Sequence, residues 1–168
     1  MEYYFIMNKV SPKIIAITLN YNQIEYTKHC ITSLIKSDYD NFEIFLVDNG
    51  STEENYKKLY TFVENFDKVI IKRIQYNLGY VGGINFGMAE AAASGADYFL
   101  IMNNDTVIHE SAISELVVCA EKHNSKAIVS GKVYNYDEKD TLQYIGQAFD
   151  KKGMLDQRSI VQNRREKD

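Results

Sequence analysis

Apolar runs rich in β-branched residues recur along the chain at Ile14 to Leu19, Glu43 to Val47, Val69 to Ile74, Tyr98 to Met102 and Ala127 to Val129. Near-continuous hydrophobicity of this kind marks strands buried on both faces. Between the runs the apolar spacing changes to that of a helix: Ile24, Ile31, Leu34 and Ile35, then Tyr56, Leu59, Tyr60 and Val63, then Ile84, Met88, Ala91 and Ala92, then Ile113, Leu116, Val117 and Ala120. Four alternations in a row predict an α/β fold, a mainly parallel sheet with helices on both faces. The punctuation agrees. Ser51 with Glu54 reads as a capping box at the second helix, and Gly95 as the residue that closes the third. After Lys132 the pattern weakens, and from about Asp150 the chain is a polar run.

Composition narrows the class. With 168 residues, 45% apolar, the chain is long enough for one domain with a real core. Acidic residues outnumber basic ones 23 to 19, and no basic stripe appears before the last dozen residues, which argues against nucleic acid as a partner. Cys30 and Cys119 both fall on helical patterns and read as buried small apolar residues, which points to a reducing compartment. The apolar opening from Met1 to Val10 is short, carries Glu2 and lacks a small-residue cleavage site, so it fits neither a signal peptide nor a transmembrane segment. The expected location is the cytoplasm.

Candidate chemistry sits where the strands end. In an open parallel sheet, ligands bind beyond the carboxyl ends of the strands. Here those ends carry Asn20-Tyr21-Asn22, Asp48-Asn49-Gly50-Ser51, Asn77-Leu78-Gly79-Tyr80-Val81-Gly82-Gly83 and Asn103-Asn104-Asp105. Each cluster alone is ordinary turn chemistry. All four on one rim point to a binding site. A helix starting near Gly83 would aim backbone N–H groups at an anion, a position suited to a diphosphate. Asp105, a lone carboxylate beside the amides that end an apolar strand, is the candidate ligand for a hard divalent cation, Mn or Mg. The first strand is followed by no glycine, which excludes a dinucleotide fingerprint, and Gly131-Lys132 lacks the upstream glycine of a P-loop. His29, His109 and His123 are too scattered for a local zinc motif.

The clusters, with their flanking residues, resemble family 2 glycosyltransferases of the GT-A fold, a Rossmann-like nucleotide-diphospho-sugar transferase architecture, and within them the rhamnosyltransferase-like branch. The likeness rests on Leu19-Asn20-Tyr21-Asn22, Phe42 through Ser51, Asn77-Leu78-Gly79-Tyr80 through Gly83-Ile84-Asn85-Phe86-Gly87, and Leu100 through Thr106. The resemblance implies that Tyr21, Asp48 and Asn49 hold the base and ribose of a nucleotide sugar, and that Asn77, Gly79 and Asn85 shape the sugar and diphosphate pocket. Asn20, Asn22, Gly83, Asn103 and Asn104 complete the implied donor site. The family's D-x-D motif falls on Asn103-Asn104-Asp105, leaving Asp105 as its only carboxylate. Asn49 stands where many relatives have Asp, which bears on the choice of base.

By the same resemblance the expected activity is inverting transfer of a sugar, from dTDP-rhamnose or a UDP-sugar, to a polysaccharide or lipid-linked glycan acceptor, with peripheral association at the inner membrane face. Family members carry the catalytic base in a later acidic motif. Residues 143–153 look like the stretch leading into the acceptor half, and about fifteen residues follow. The chain therefore reads as truncated at its C-terminus, with a GT-A nucleotide-sugar-binding domain over 1–150 and a polar tail or the start of the acceptor-binding region over 151–168. Asp137, Glu138, Asp140, Asp150 and Asp156 read as solvated surface groups, and none is assigned as base. A cut domain would expose apolar surface, which makes a homodimer an option. The alternatives are a non-catalytic nucleotide-sugar-binding module and, ranked last, a nucleotidyltransferase, which would need a glycine-rich basic loop in place of Asn20-Tyr21-Asn22.

Overall fold

The computed structural model describes residues 11–123 and 128–144, and the backbone of three short strands beyond them. The elements are β1 (Ile14–Asn20), α1 (Ile24–Leu34), β2 (Phe42–Asn49), α2 (Glu53–Val63), β3 (Val69–Ile74), α3 (Gly79–Ala93), β4 (Tyr98–Ile101), α4 (Ala112–Lys122), β5 (Val133–Tyr134), β6 (Thr141–Tyr144), β7 (Ala148–Phe149), β8 (Leu155–Asp156) and β9 (Arg164–Arg165). The chain divides into two compact units, residues 1–113 and 114–168.

The first unit is a four-stranded parallel sheet in the order β3-β2-β1-β4. Register runs from Ile14 opposite Phe42 to Asn20 opposite Asp48, and from Ile44 opposite Val69 to Asn49 opposite Ile74. Successive strands step away from β1 on one side and return to its other side with β4. In open parallel sheets ligands bind at the carboxyl ends beside such a reversal.

The strand period of two divides the core into two layers. Ile15, Ile17, Phe45 and Val47 face α3 together with Ile84 and Ala91. Ile14, Ala16, Ile44 and Leu46 alternate with them and point to the other face, toward the buried Cys30, Ile31 and Leu34 of α1 and Leu59 and Val63 of α2. Gly87 lets α3 approach the sheet: a Cβ there would lie 2.7 Å from Ile17 Cγ2 and 3.1 Å from Val47 Cγ2. Gly95, at φ +75, closes α3 as expected, with Ala96 N–H donating back to the Ala91 carbonyl.

Several expectations are corrected. Only β1 and β2 are buried along their length; β3 and β4 lie at the sheet edges and are partly exposed, because an apolar run gives no strand order. Ile128 and Val129 are in no strand, and Ile128 is fully exposed; a run that short does not distinguish strand from loop. Ala127 lies outside the described residues. Thr52, not Ser51, caps α2, accepting from Asn55 N–H at 3.3 Å, while Glu54 pairs with Lys58. Cys30 is buried as expected but Cys119 is exposed, and both are free thiols.

The second unit pairs β5 and β9 antiparallel to β6, and β7 antiparallel to β8. Leu142 is buried in it, and Thr141 accepts from and donates to its neighbours around the turn at Glu138. No helix of the described residues is long and apolar enough to cross a membrane.

Candidate active site

The four polar clusters all emerge at the carboxyl edge of the first unit's sheet. Hydrogen bonds join them into two networks.

The first network centres on Asn20, the last residue of β1, which is fully buried. Its Nδ2 donates to Asp48 Oδ1 at 3.0 Å and to Ser51 Oγ at 3.1 Å. Its Oδ1 accepts from Gln23 N–H and from the Thr27 hydroxyl at 3.0 Å. Asn104 Nδ2 donates in turn to Thr27 Oγ1 at 2.9 Å. One buried amide thus ties the ends of β1, β2 and β4 together. Asn22 adds a surface link: it sits in the left-handed region at φ 57, tolerable for Asn, and its Oδ1 accepts from Thr52 N–H and Asn55 Nδ2. Its own N–H donates to Ser51 Oγ at 2.9 Å, which explains why Ser51 is not the helix cap.

The second network is built on Asn49, 3% exposed. Its Nδ2 donates to Asn77 Oδ1 at 3.1 Å and to the Gly79 carbonyl at 3.0 Å, and its Oδ1 accepts from Leu78 N–H at 3.1 Å. Asn77 Oδ1 also accepts from Gly79 N–H at 2.7 Å. The turn ends where α3 begins, at Gly79 and not near Gly83. The N–H groups of the first turn, with the positive end of the helix dipole, are therefore those of Gly79 to Gly82. Gly83 is buried one turn further on, where a Cβ would meet Leu19 Cδ2 at 2.9 Å and Asn49 Nδ2 at 3.2 Å. It serves helix packing.

Arg73 of β3 is a site residue that the sequence reading missed. It stands opposite Asp48 in register, with Nε 3.7 Å from Asp48 Oδ2. Neither of those buried atoms has a hydrogen-bond partner. The guanidinium donates to Glu53 Oε1 at 2.5 Å and lies 3.9 Å from the centre of the Tyr56 ring. That hydrogen bond is the main cause holding the Glu53 carboxyl below the ordinary carboxylate range. Thr27 was missed as well, although a polar residue on the apolar stripe of α1 is a signal of a buried hydrogen bond.

The remaining candidates face solvent. Tyr21, Asn77, Asn85, Asn103 and Asp105 are exposed, and Asn104 half-buried. Exposed Tyr76, Leu78, Tyr80 and Val81 flank them. The Asn103 carbonyl accepts from the Cys30 thiol at 3.7 Å, and burial, with the charge of Asp105 adding, pushes that thiol up to about 11. Among the described residues no three His, Cys, Asp or Glu side chains gather into a metal cage. Asp105 fits a cation only as one carboxylate whose partners come from a bound ligand.

A parallel sheet whose polar loops converge in this way is a general ligand-binding architecture, and comparison with known proteins gives its family. Residues 15–167 match glycosyl transferase family 2, and the chain belongs to that family. It is 29% identical over 132 residues to glycosyltransferase GlyG of Streptococcus pneumoniae, covering 77% of this chain and 42% of GlyG. It is 24% identical over 111 residues to a poly-beta-1,6-N-acetyl-D-glucosamine synthase of Staphylococcus epidermidis, covering 66% of this chain and 26% of that protein. The chain thus spans less than half the length of these relatives. In structure it is similar to mannosyltransferase PcManGT from Pyrobaculum calidifontis in complex with GDP-Man and Mn2+, with TM-score 0.58, 16% identity and coverage of 65% and 32%. It is equally similar to S. aureus TarS 1–349 in complex with UDP-GlcNAc, with TM-score 0.58, 18% identity and coverage of 75% and 41%. The fold is GT-A.

Proposed function

We propose that this chain is the donor-binding portion of an inverting glycosyltransferase that moves a sugar from a nucleoside diphosphate to a polysaccharide or lipid-linked acceptor. The observation that carries the reading is the buried network Asn20–Asp48–Ser51–Thr27–Asn104, which fixes three strand-end loops as one rim beside the amino end of α3. Turns need no such cross-linking. A site that must hold a flexible ligand in one pose does.

On this reading Tyr21 packs against the base, with Asp48 and Asn49 shaping the base and ribose end from beneath. Asn77, Gly79 and Asn85 line the sugar and diphosphate. The N–H groups of Tyr80 to Gly82 in the first turn of α3 face the diphosphate, where the helix dipole favours negative charge. Asp105, flanked by Asn103 and Asn104, would hold a divalent cation together with the diphosphate; such an ion stabilises the charge on the departing nucleoside diphosphate. Its single carboxylate makes that affinity depend on the donor. An acceptor hydroxyl attacks the face opposite the leaving group, its proton taken by a general base that none of these residues supplies. Residues 1–150 serve as the donor portion, and residues 151–168 are a polar tail or the start of an acceptor-binding region. The sequence resemblance favours dTDP-rhamnose, with a UDP-sugar next.

Calorimetric titration with UDP, dTDP and GDP, each with and without manganese, tests the reading. Manganese-dependent binding of UDP or dTDP that Asp105→Ala abolishes is the expected result. No binding by any nucleotide would remove the donor site. Binding without any transfer to glycan acceptors by the full-length protein would favour a sensor module over an enzyme.

A further inference from the structure

Asn49 stands where a nucleotide-binding reading places a base contact, yet its side chain has no donor left to offer. Both Nδ2 hydrogens are used, one on Asn77 Oδ1 and one on the Gly79 carbonyl, and Oδ1 takes the Leu78 N–H. The amide orientation is set by backbone groups of fixed polarity, a carbonyl on one side and an N–H on the other. Asn49 is itself only 3% exposed. A Cβ on Gly50, at φ +81, would come within 2.5 Å of the Tyr76 and Asn77 backbone, and a Cβ on Gly83 within 3.2 Å of Asn49 Nδ2.

We propose that Asn49 is a positioning residue that locks the 77–79 turn, and with it the first turn of α3, and that it acts on donor binding through this turn. The inference rests on the donor-site reading above. It assigns the choice between Asn and Asp at this position to the turn. An aspartate would keep an acceptor for Leu78 N–H but would present oxygen to Asn77 Oδ1 and the Gly79 carbonyl at about 3 Å, a repulsive contact with no donor to replace the two lost bonds. The turn would then keep only the acceptors for its Leu78 and Gly79 N–H groups.

The test uses two variants, Asn49→Asp and Asn49→Ala, read in two ways. Hydrogen exchange on the ligand-free chain should accelerate at least tenfold at Leu78 and Gly79, whose N–H groups are bonded within the turn, while the amides of β1 and β2 keep their protection, which a general loss of stability would not leave intact. Dissociation constants for UDP, dTDP and GDP, with manganese, should all rise roughly tenfold to a hundredfold, about one to two factors of ten for the two lost bonds. Their ratios should stay within about twofold of the parent. A tenfold change in the ratios with unaltered turn exchange would overturn the proposal, since Asn49 would then be reading the base. Unaltered exchange and unaltered affinities would overturn it too. Should the parent chain bind no nucleotide, the donor-site reading fails by itself, and the exchange measurement still decides the lock.

Discussion

Replacing Asn20 by leucine removes the hub of the first network while keeping its approximate shape. The substitution takes four hydrogen bonds from a fully buried position. The gravest loss is at Asp48. Its Oδ2 has no hydrogen bond in the parent, so without Asn20 the buried carboxylate retains only Arg73, 3.7 Å away. A hydrogen bond to a charged group contributes about 1.5–3 kcal/mol, and an orphaned neutral group costs about 1–3 kcal/mol. Gln23 N–H loses its side-chain acceptor, whereas Thr27 keeps the Gln23 carbonyl and Ser51 keeps Asn22 N–H. The extra apolar burial offsets about 1 kcal/mol. The net is a destabilisation of about 3–4 kcal/mol, a large part of the stability of an ordinary domain. Urea unfolding followed by far-UV circular dichroism should show the midpoint falling by about 1.5–2 M with an unchanged slope, taking a slope of about 2 kcal/mol/M. Tyr21→Ala, one residue on and exposed, should move it by less than about 0.5 M. An Asn20→Leu midpoint within about 0.5 M of the parent would refute the claim that the network is the framework of the rim.

Further outcomes follow from other contacts. Gly87→Ala should destabilise by about 1–2 kcal/mol, because overpacking against the buried Ile17 and Val47 outweighs the roughly 1 kcal/mol of helix propensity gained, and thermal melting would show it. Gly83→Ala should be closer to neutral, since the crowded atoms belong mainly to the movable end of Leu19. Arg73→Met should lower the urea midpoint clearly by leaving buried Asp48 without a countercharge, whereas Glu53→Gln on the exposed side should barely move it; the same urea assay separates them. The Cys30 thiol, pushed from 9.0 to about 11 by burial, keeps its proton in the folded state while the unfolded chain loses its own. Stability from this group is therefore complete below about pH 9 and is lost, by about 2–3 kcal/mol, as pH rises to about 11. Cys30→Ser should remove that part of the alkaline decline.

Much of the fold is legible because it depends on local pattern. The four strands of the first unit and all four helices follow from runs and periods, and β3 is found at its exact bounds in the sequence. What pattern does not give is neighbourhood. Nothing local says that β3 and β4 are edges, or that Arg73 stands beside Asp48, since both depend on strand order and register. The amide-rich loops are legible as a site because four of them share one end of the sheet. Their division of labour is not. Asn20, Asp48 and Asn49 are buried structural members, and Tyr21, Asn77, Asn85 and Asp105 are the exposed ones, a distinction that only packing makes. The displaced cap at α2 has the same origin: Ser51 fits the capping pattern but is engaged by Asn20 and Asn22, so Thr52 takes the cap.

The central claim is tested most directly by a crystal structure of the chain grown with manganese and a UDP or dTDP ligand. The account predicts the nucleotide across the carboxyl ends of β1, β2 and β4, its diphosphate at the amino end of α3, and an anomalous manganese peak beside the Asp105 carboxylate. A nucleotide bound elsewhere, or a manganese ion held without Asp105, would contradict it.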